Sequence, residues 1–96
     1  MKFEWDTVKN QSNIEKHGVS FEDASKIFQG FTLDAIDERF SYGEERIVSI
    51  GIISGIAIIV VAHTDRDGVC RIISARPATR MEKKLYYEAL PKTFDA

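Results

Sequence analysis

The chain has 96 residues, 44% of them hydrophobic, which is enough for one domain with one modest core. Its formal net charge is −2, and a single cysteine, Cys70, excludes an internal disulfide. No segment resembles a signal peptide or a membrane span, because the longest apolar stretch is broken by Ser54-Gly55. We therefore expect one domain over residues 1–96, located in the cytoplasm.

The N-terminal residues predict a short strand followed by a surface helix. Alternating polar and apolar residues from Phe3 to Asp6 are typical of a strand. Asp6 can cap the helix, and Gly18 can end it. The apolar stripe, which includes Val8, is thin, and Asn13 falls among polar residues on another side. We therefore expect the helix to lie on the surface.

A second helix and two strands follow. Ser20 can begin the helix, and Gly30 can end it. The core stripe of this helix consists of Phe21, Ala24, Ile27 and Phe28. The segments 31–38 and 45–53 are predicted to be strands joined by a turn at residues 41–43. The acidic residues of the first of these strands favour an exposed position in the sheet.

The stretch from Ile56 to Arg76 is the predicted centre of the fold. An apolar run, the turn Asp67-Gly68 and a second apolar run together predict a β-hairpin. Successive strands joined by short turns must be antiparallel. A final helix follows, with a capping box from Thr79 to Glu82. Its core-facing residues are predicted to be Met81, Leu85 and Ala89.

These elements predict an α+β domain: a single antiparallel sheet with two N-terminal helices and one C-terminal helix packed on it. The sequence predicts no metal site and no cofactor. Two histidines 46 positions apart form no helical metal pair, and no Cys/His spacing is typical of a metal site. We expect Cys70 to be a buried structural thiol and His63 a packed, hydrogen-bonded core residue.

The C-terminal half contains a basic segment. From Arg71 to Lys84 there are five cationic residues and one acidic residue. Such a segment indicates an anion or nucleic-acid site, or else a solvated basic face. Arg71 and Arg76 differ by five positions, which places them on opposite faces of an ideal strand. They can share a site only if Arg76 lies beyond the strand or a bulge intervenes.

Four arginines could bind phosphate through their planar guanidinium groups: Arg66, Arg71, Arg76 and Arg80. In the alternative interpretation these arginines form salt bridges across the sheet with Asp34, Asp37 or Glu38. His17 follows Lys16 at a helix end, where it can act as a general acid or base or simply cap the helix.

Two blocks of the chain resemble the BrnT family. The first includes the segment from Phe3 to Asp6 and, further on, Lys9, Asn13, the run from Lys16 to Val19 and Phe21. The second includes Thr64, Arg66, the run from Arg71 to Arg76, Ala78 and Glu82. This resemblance implies a toxin of a type II toxin–antitoxin system: a metal-independent ribonuclease with a RelE-like fold. It also implies a cognate antitoxin of the BrnA type, which would contact operator DNA on behalf of the complex.

On this resemblance we expect Arg71, Arg76 and Arg80 to stabilise charge on a transferring phosphoryl group, and His17 to move the proton. The residues expected to bind RNA around that group are Lys16, Arg66, Lys83 and Lys84. Lys16 is also the second candidate for proton transfer. Two alternatives remain open at this point. The chain could be a non-catalytic binding module, or a degenerate toxin that only binds its antitoxin and helps to repress its operon.

Overall fold

A computed structural model describes residues 1–38 and 44–91. The elements in chain order are β1 (Lys2–Glu4), α1 (Thr7–His17), α2 (Phe21–Ala24), a 3₁₀ turn (Ser25–Gln29), β2 (Leu33–Ile36), β3 (Ile47–Ile53), β4 (Ala57–Arg66), β5 (Val69–Pro77) and α3 (Arg80–Ala89). The predicted turn at residues 41–43 lies outside the described residues. Within the described ranges, no helix is long and apolar enough to cross a membrane.

The predicted α+β class is confirmed, but the sheet is mixed rather than wholly antiparallel. The spatial strand order is β1-β5-β4-β3-β2. β1 runs parallel to β5, with Phe3 opposite Cys70, and the other neighbouring pairs are antiparallel. A parallel pair needs a long connection, and here most of the chain separates the two strands. The prediction considered only the short turns, which impose antiparallel pairing on β2 to β5.

The central strand β4 is covered on both faces. Ile59 and Val61 point to the side of the N-terminal helices, where they pack with Phe21 and Ile27. On the opposite face, the adjacent positions of β4 pack under α3 in a second cluster, whose buried members are Ile50, Ile58, Val60, Ala78 and Tyr86. We call these the helical face and the α3 face of the sheet.

Two hairpin turns join the central strands, and one of them is the predicted Asp67-Gly68 turn. Ser54-Gly55 joins β3 to β4 with φ angles of 54° and 69°. Asp67-Gly68 joins β4 to β5 with φ angles of 51° and 80°. Positive φ at both central residues matches the right-handed twist of the flanking strands, and Gly and Asp tolerate it. The second turn fixes the register of the β4–β5 hairpin, with Arg66 opposite Val69.

Helix α1 begins and ends as predicted but buries an unexpected side. Asp6 accepts hydrogen bonds from the first turn, and Gly18 ends the helix in the left-handed conformation. Val8 is 76% exposed, whereas Asn13 is only 8% exposed. The Asn13 side chain accepts from the Ala75 backbone N–H at 3.2 Å and donates to the Ala75 carbonyl at 2.7 Å. The polar side of α1 therefore lies against β5, because β1 is too short to pair with Ala75.

Helix α3 packs through a different residue from those predicted. Met81 is 65% exposed and Leu85 47% exposed, so their predicted core positions are wrong. Tyr86 is buried instead, and its hydroxyl donates to the Phe31 carbonyl at 3.0 Å. A single aromatic side chain covers enough of the sheet to anchor the helix, and its polar end finds a backbone acceptor. The predicted Thr79–Glu82 capping box is present.

Candidate functional site

A β-bulge in β5 places Arg71 and Arg76 on the same face of the sheet. The register between β4 and β5 shifts so that Ile73 has no partner opposite it in β4. Arg71 then lies opposite Thr64, and Arg76 lies opposite Val60. Val60 belongs to the cluster under α3, and Thr64 lies four positions further along β4, so both point to the α3 face. Of the two arrangements that the five-residue spacing allowed, the structure has the bulge, since Arg76 lies within β5.

An open cleft of about 630 Å³ lies on this face, at the end of the β4–β5 hairpin. Its cationic lining residues are Lys9, Arg46, Arg66 and Arg71, and its acidic ones are Glu4, Glu44 and Asp67. Lys9 and Arg46 were not predicted as site residues. Lys9 lies on the side of α1 that carries Asn13, and only the packing of that side against β5 reveals that Lys9 lines the cleft.

Two arginines of the cleft are held by exposed acidic residues. Arg71 donates to a Glu4 oxygen at 2.8 Å, and about half of each side chain is exposed. Arg66 pairs with Glu44, which is also substantially exposed. The alternative interpretation of the sequence predicts salt bridges for these arginines, but with Asp34, Asp37 or Glu38 as partners.

Arg76 is held by more hydrogen bonds to its carboxylate partner than Arg71 is. Its two terminal nitrogens donate to the two Glu82 oxygens at 2.7 and 2.8 Å. Glu82 also accepts from the Thr79 backbone N–H, which completes the capping box of α3. The hydrogen bonds from Arg76 are the main cause that lowers the pKa of Glu82 to about 2. Arg76 thus joins the end of β5 to the first turn of α3.

Three of the residues that are predicted to bind phosphate or RNA lie on α3. Arg80, Lys83 and Lys84 are exposed, and they form no ion pair within the residues that the structure describes. They do not line the cleft. Arg80 is the first residue of the helix, where free N–H groups and the helix dipole also favour an anion. The N-terminal end of α3 is therefore a second cationic region of the same face.

His17 and Lys16 lie at the C-terminal end of α1, where both are exposed. Asn13 fixes that helix against Ala75, and His17 follows one turn later, roughly 6 Å along the axis. This places the two residues towards the end of β5 that carries Arg76, and neither lines the cleft. Among the described residues the His17 side chain makes no hydrogen bond or ion pair, so its ring is available to a ligand.

Comparisons with known proteins agree with this architecture. Residues 5–82 match the family model described as "Ribonuclease toxin, BrnT, of type II toxin-antitoxin system". The crystal structure of the ribonuclease toxin BrnT of Brucella abortus, solved at 1.1 Å, is similar, with a TM-score of 0.64 and 30% sequence identity. That match covers 83% of this chain and 99% of the Brucella chain. No curated protein sequence matches the chain. The chain belongs to the BrnT family of ribonuclease toxins of type II toxin–antitoxin systems.

Proposed function

We propose that this protein is an endoribonuclease toxin that cleaves RNA in the cytoplasm without a metal ion and so arrests growth. The observation that carries the proposal is the bulge at Ile73, which brings Arg71 and Arg76 to one face of the sheet beside a cleft rich in cations. The family supports ribonuclease activity in general. Metal independence is the more specific part of the proposal, because arginines supply the positive charge that a metal ion would otherwise supply.

When RNA binds in the cleft, its phosphates would replace the carboxylates that now pair with the arginines. The Arg71–Glu4 pair is half-exposed, and such surface pairs contribute only about 0–1 kcal/mol. Arg71 donates only one hydrogen bond to Glu4, whereas a phosphate can accept two from the same guanidinium group, so it can displace Glu4 at little cost. The same holds for Arg66 and Glu44. Exposed cations of the α3 face and of the end of α1 would hold the flanking phosphates: Lys16, Lys83 and Lys84.

The reaction would be an attack of an RNA 2′-hydroxyl on the adjacent phosphorus. A bond forms between O2′ and phosphorus, and the bond from phosphorus to the 5′ oxygen of the next nucleotide breaks. One proton leaves the 2′-hydroxyl, and one reaches the departing oxygen. Arg71, Arg76 and Arg80 would stabilise the charge on the phosphoryl oxygens, and His17 would move a proton, with Lys16 as the second candidate.

The partner would be a cognate BrnA-type antitoxin, and operator DNA would be contacted through that antitoxin. A type II toxin family implies an antitoxin. The antitoxin should present acidic or apolar residues to the α3 face, because this face combines the arginine cleft with the exposed Met81, Leu85 and Tyr87. Occupying this face would block RNA at the same time.

A second candidate function is that of a binding module, or of a degenerate toxin that only binds its antitoxin. The observation that favours it is the pairing of three arginines with carboxylates: Arg66 with Glu44, Arg71 with Glu4, and Arg76 with Glu82. Arginines whose charge is already satisfied inside the protein do not require a phosphate partner.

The experiment is RNA cleavage by the purified chain in the presence of EDTA, combined with growth after induction in bacteria. We expect cleavage products with 2′,3′-cyclic phosphate ends, growth arrest, and loss of both in Arg71→Ala. The matched control is Lys26→Ala, which removes an exposed cation paired with Asp23 away from the cleft. Intact RNA and normal growth, together with tight antitoxin binding, would establish the second candidate instead.

A further inference from the structure

The helical face of the sheet carries a polar cluster that the proposed ribonuclease reaction does not use. His63, Asp65 and Cys70 each offer one ligand atom, and these atoms lie within 4.8 Å of one another. His63 is 2% exposed and Cys70 1% exposed, while nearly half of the Asp65 side chain is accessible. The hairpin creates this cluster, because Asp65 lies directly opposite Cys70 and His63 points to the same face as Asp65.

The polar contacts around His63 need one more proton, or a metal ion, than a neutral imidazole and the Ser49 hydroxyl can supply. Ser49 donates to Asp34 at 2.6 Å, so its oxygen must accept from His63 Nε2, which lies 2.7 Å away. The other ring nitrogen, Nδ1, then faces an Asp65 oxygen at 2.7 Å. With a neutral imidazole and ionised carboxylates, this last contact sets a lone pair against a lone pair. It becomes favourable only when a cation, either a proton or a metal ion, lies there.

From this arrangement we infer that His63, Asp65 and Cys70 form a binding site for a divalent transition-metal ion of the zinc type. Imidazole, thiolate and carboxylate are the ligands that such ions prefer, whereas magnesium and calcium avoid thiolate. An ion of charge +2 would be neutralised by one thiolate and one carboxylate, so the buried site would carry no net charge. Three protein ligands leave a fourth position for water.

The surroundings resemble the outer ligand layer of known metal sites. A metal-bound histidine usually donates its second ring N–H to an oxygen, which fixes the ring. Here the Ser49 hydroxyl supplies that oxygen, and the Asp34 carboxylate in turn orients the Ser49 hydroxyl. A cleft of about 390 Å³, lined in part by His63 and Asp65, leads from solvent to the site.

Binding requires the three ligand atoms to reach tetrahedral separations and the Cys70 thiol to lose its proton. Tetrahedral bonds of about 2.0–2.1 Å place a nitrogen and an oxygen ligand about 3.3 Å apart, so the Asp65 carboxylate must move outwards by about 0.6 Å from its 2.7 Å contact. Its exposure permits that movement. Burial, and then the charge of Asp65, raise the pKa of the Cys70 thiol to about 12. The thiol therefore keeps its proton until the metal displaces it into solvent, while the sulfur lone pair forms the new bond.

The test is titration of the metal-free full chain with Co²⁺, followed by absorption spectroscopy. We expect one ion per chain, a thiolate-to-cobalt charge-transfer band in the near ultraviolet, and intense visible bands typical of tetrahedral cobalt. Zinc should displace the cobalt and raise the melting temperature of the protein. Cys70→Ser should abolish the charge-transfer band.

Two further variants distinguish a specific metal site from non-specific metal binding. Asp65→Asn should weaken Co²⁺ binding by at least about 10-fold, and Ser49→Ala by about 10–100-fold with the charge-transfer band retained. Asp67→Asn is the matched control, since it changes an exposed carboxylate in the same hairpin turn and Asn also tolerates positive φ. Circular dichroism confirms that each variant is folded. Absence of the charge-transfer band in wild type, or equal binding by folded Cys70→Ser, overturns the inference.

Discussion

Arg76 and Glu82 form a two-pronged ion pair, with nitrogen–oxygen distances of 2.7 and 2.8 Å, that connects the end of β5 to the start of α3. This pair makes the junction between β5 and α3 sensitive to acid. The pKa of Glu82 is lowered to about 2 in the folded protein from an ordinary value of 4.5. A carboxyl group with a lowered pKa stabilises the fold above its unfolded pKa, and this contribution is lost as the pH falls through the folded value.

We therefore predict that Glu82→Gln removes part of the acid sensitivity of the protein. The free energy of unfolding of the wild type should fall more steeply than that of the variant between about pH 4.5 and pH 2. Near neutral pH the wild type should be the more stable of the two. Urea unfolding at a series of pH values measures the difference. Parallel curves for the two proteins would show that the ion pair contributes nothing to acid stability.

The arginines of the α3 face should differ in their effect on stability. Arg80→Ala should lower RNA cleavage by at least about 10²-fold, as loss of a group that stabilises transition-state charge does. Its free energy of unfolding should stay within about 0.5 kcal/mol of wild type, because Arg80 is exposed and has no ion-pair partner in the described residues.

Arg76→Ala should lower cleavage and also destabilise the fold by about 1–2 kcal/mol, because it leaves Glu82 without its partner. Thermal melts recorded beside the cleavage assay separate the two effects. Full activity in both variants would remove Arg76 and Arg80 from the proposed mechanism.

Asn13→Ala should be strongly destabilising, although the helix that carries it has a weak apolar stripe. The side-chain amide donates to the carbonyls of Val19 and Ala75 and accepts from the Ala75 N–H. Removing it leaves buried backbone groups unpaired, at a cost of about 2–4 kcal/mol in total. Ser12→Ala, an exposed change on the same helix, is the control and should cost less than about 0.5 kcal/mol. Equal chemical denaturation midpoints for the two variants would contradict the role assigned to Asn13.

Gly51 should not tolerate even one added methyl group. A Cβ atom at this position of β3 would lie 2.5 Å from the Ile27 Cβ atom, inside the core beneath the 3₁₀ turn. Gly51→Ala should therefore cost about 1–3 kcal/mol through overpacking. Gly30→Ala is the matched control, because nothing lies within 4 Å of its added Cβ and its φ is −132°. Thermal melts of the two variants test the difference, and an unchanged melting temperature for Gly51→Ala would show that the turn moves freely.

The sequence alone determined the parts of this protein that depend on local backbone chemistry. Asp67, Gly68 and Gly55 tolerate positive φ, so the two hairpins follow largely from the residues at their turns. Asp6 and Thr79 cap helices through side-chain oxygens only two or three residues away. The similarity to the BrnT family was also evident from motifs at short range, and the family match confirms it.

The tertiary structure alone decided features that join residues far apart in the chain. The bulge at Ile73 brought Arg71 and Arg76 to one face, and strand periodicity by itself could not place it. Asn13 is buried because it satisfies a backbone group 62 positions away, so its polar character gave no sign of burial. Such contacts follow from packing and from the need to pair buried polar groups, and these needs become visible only when the sheet is assembled.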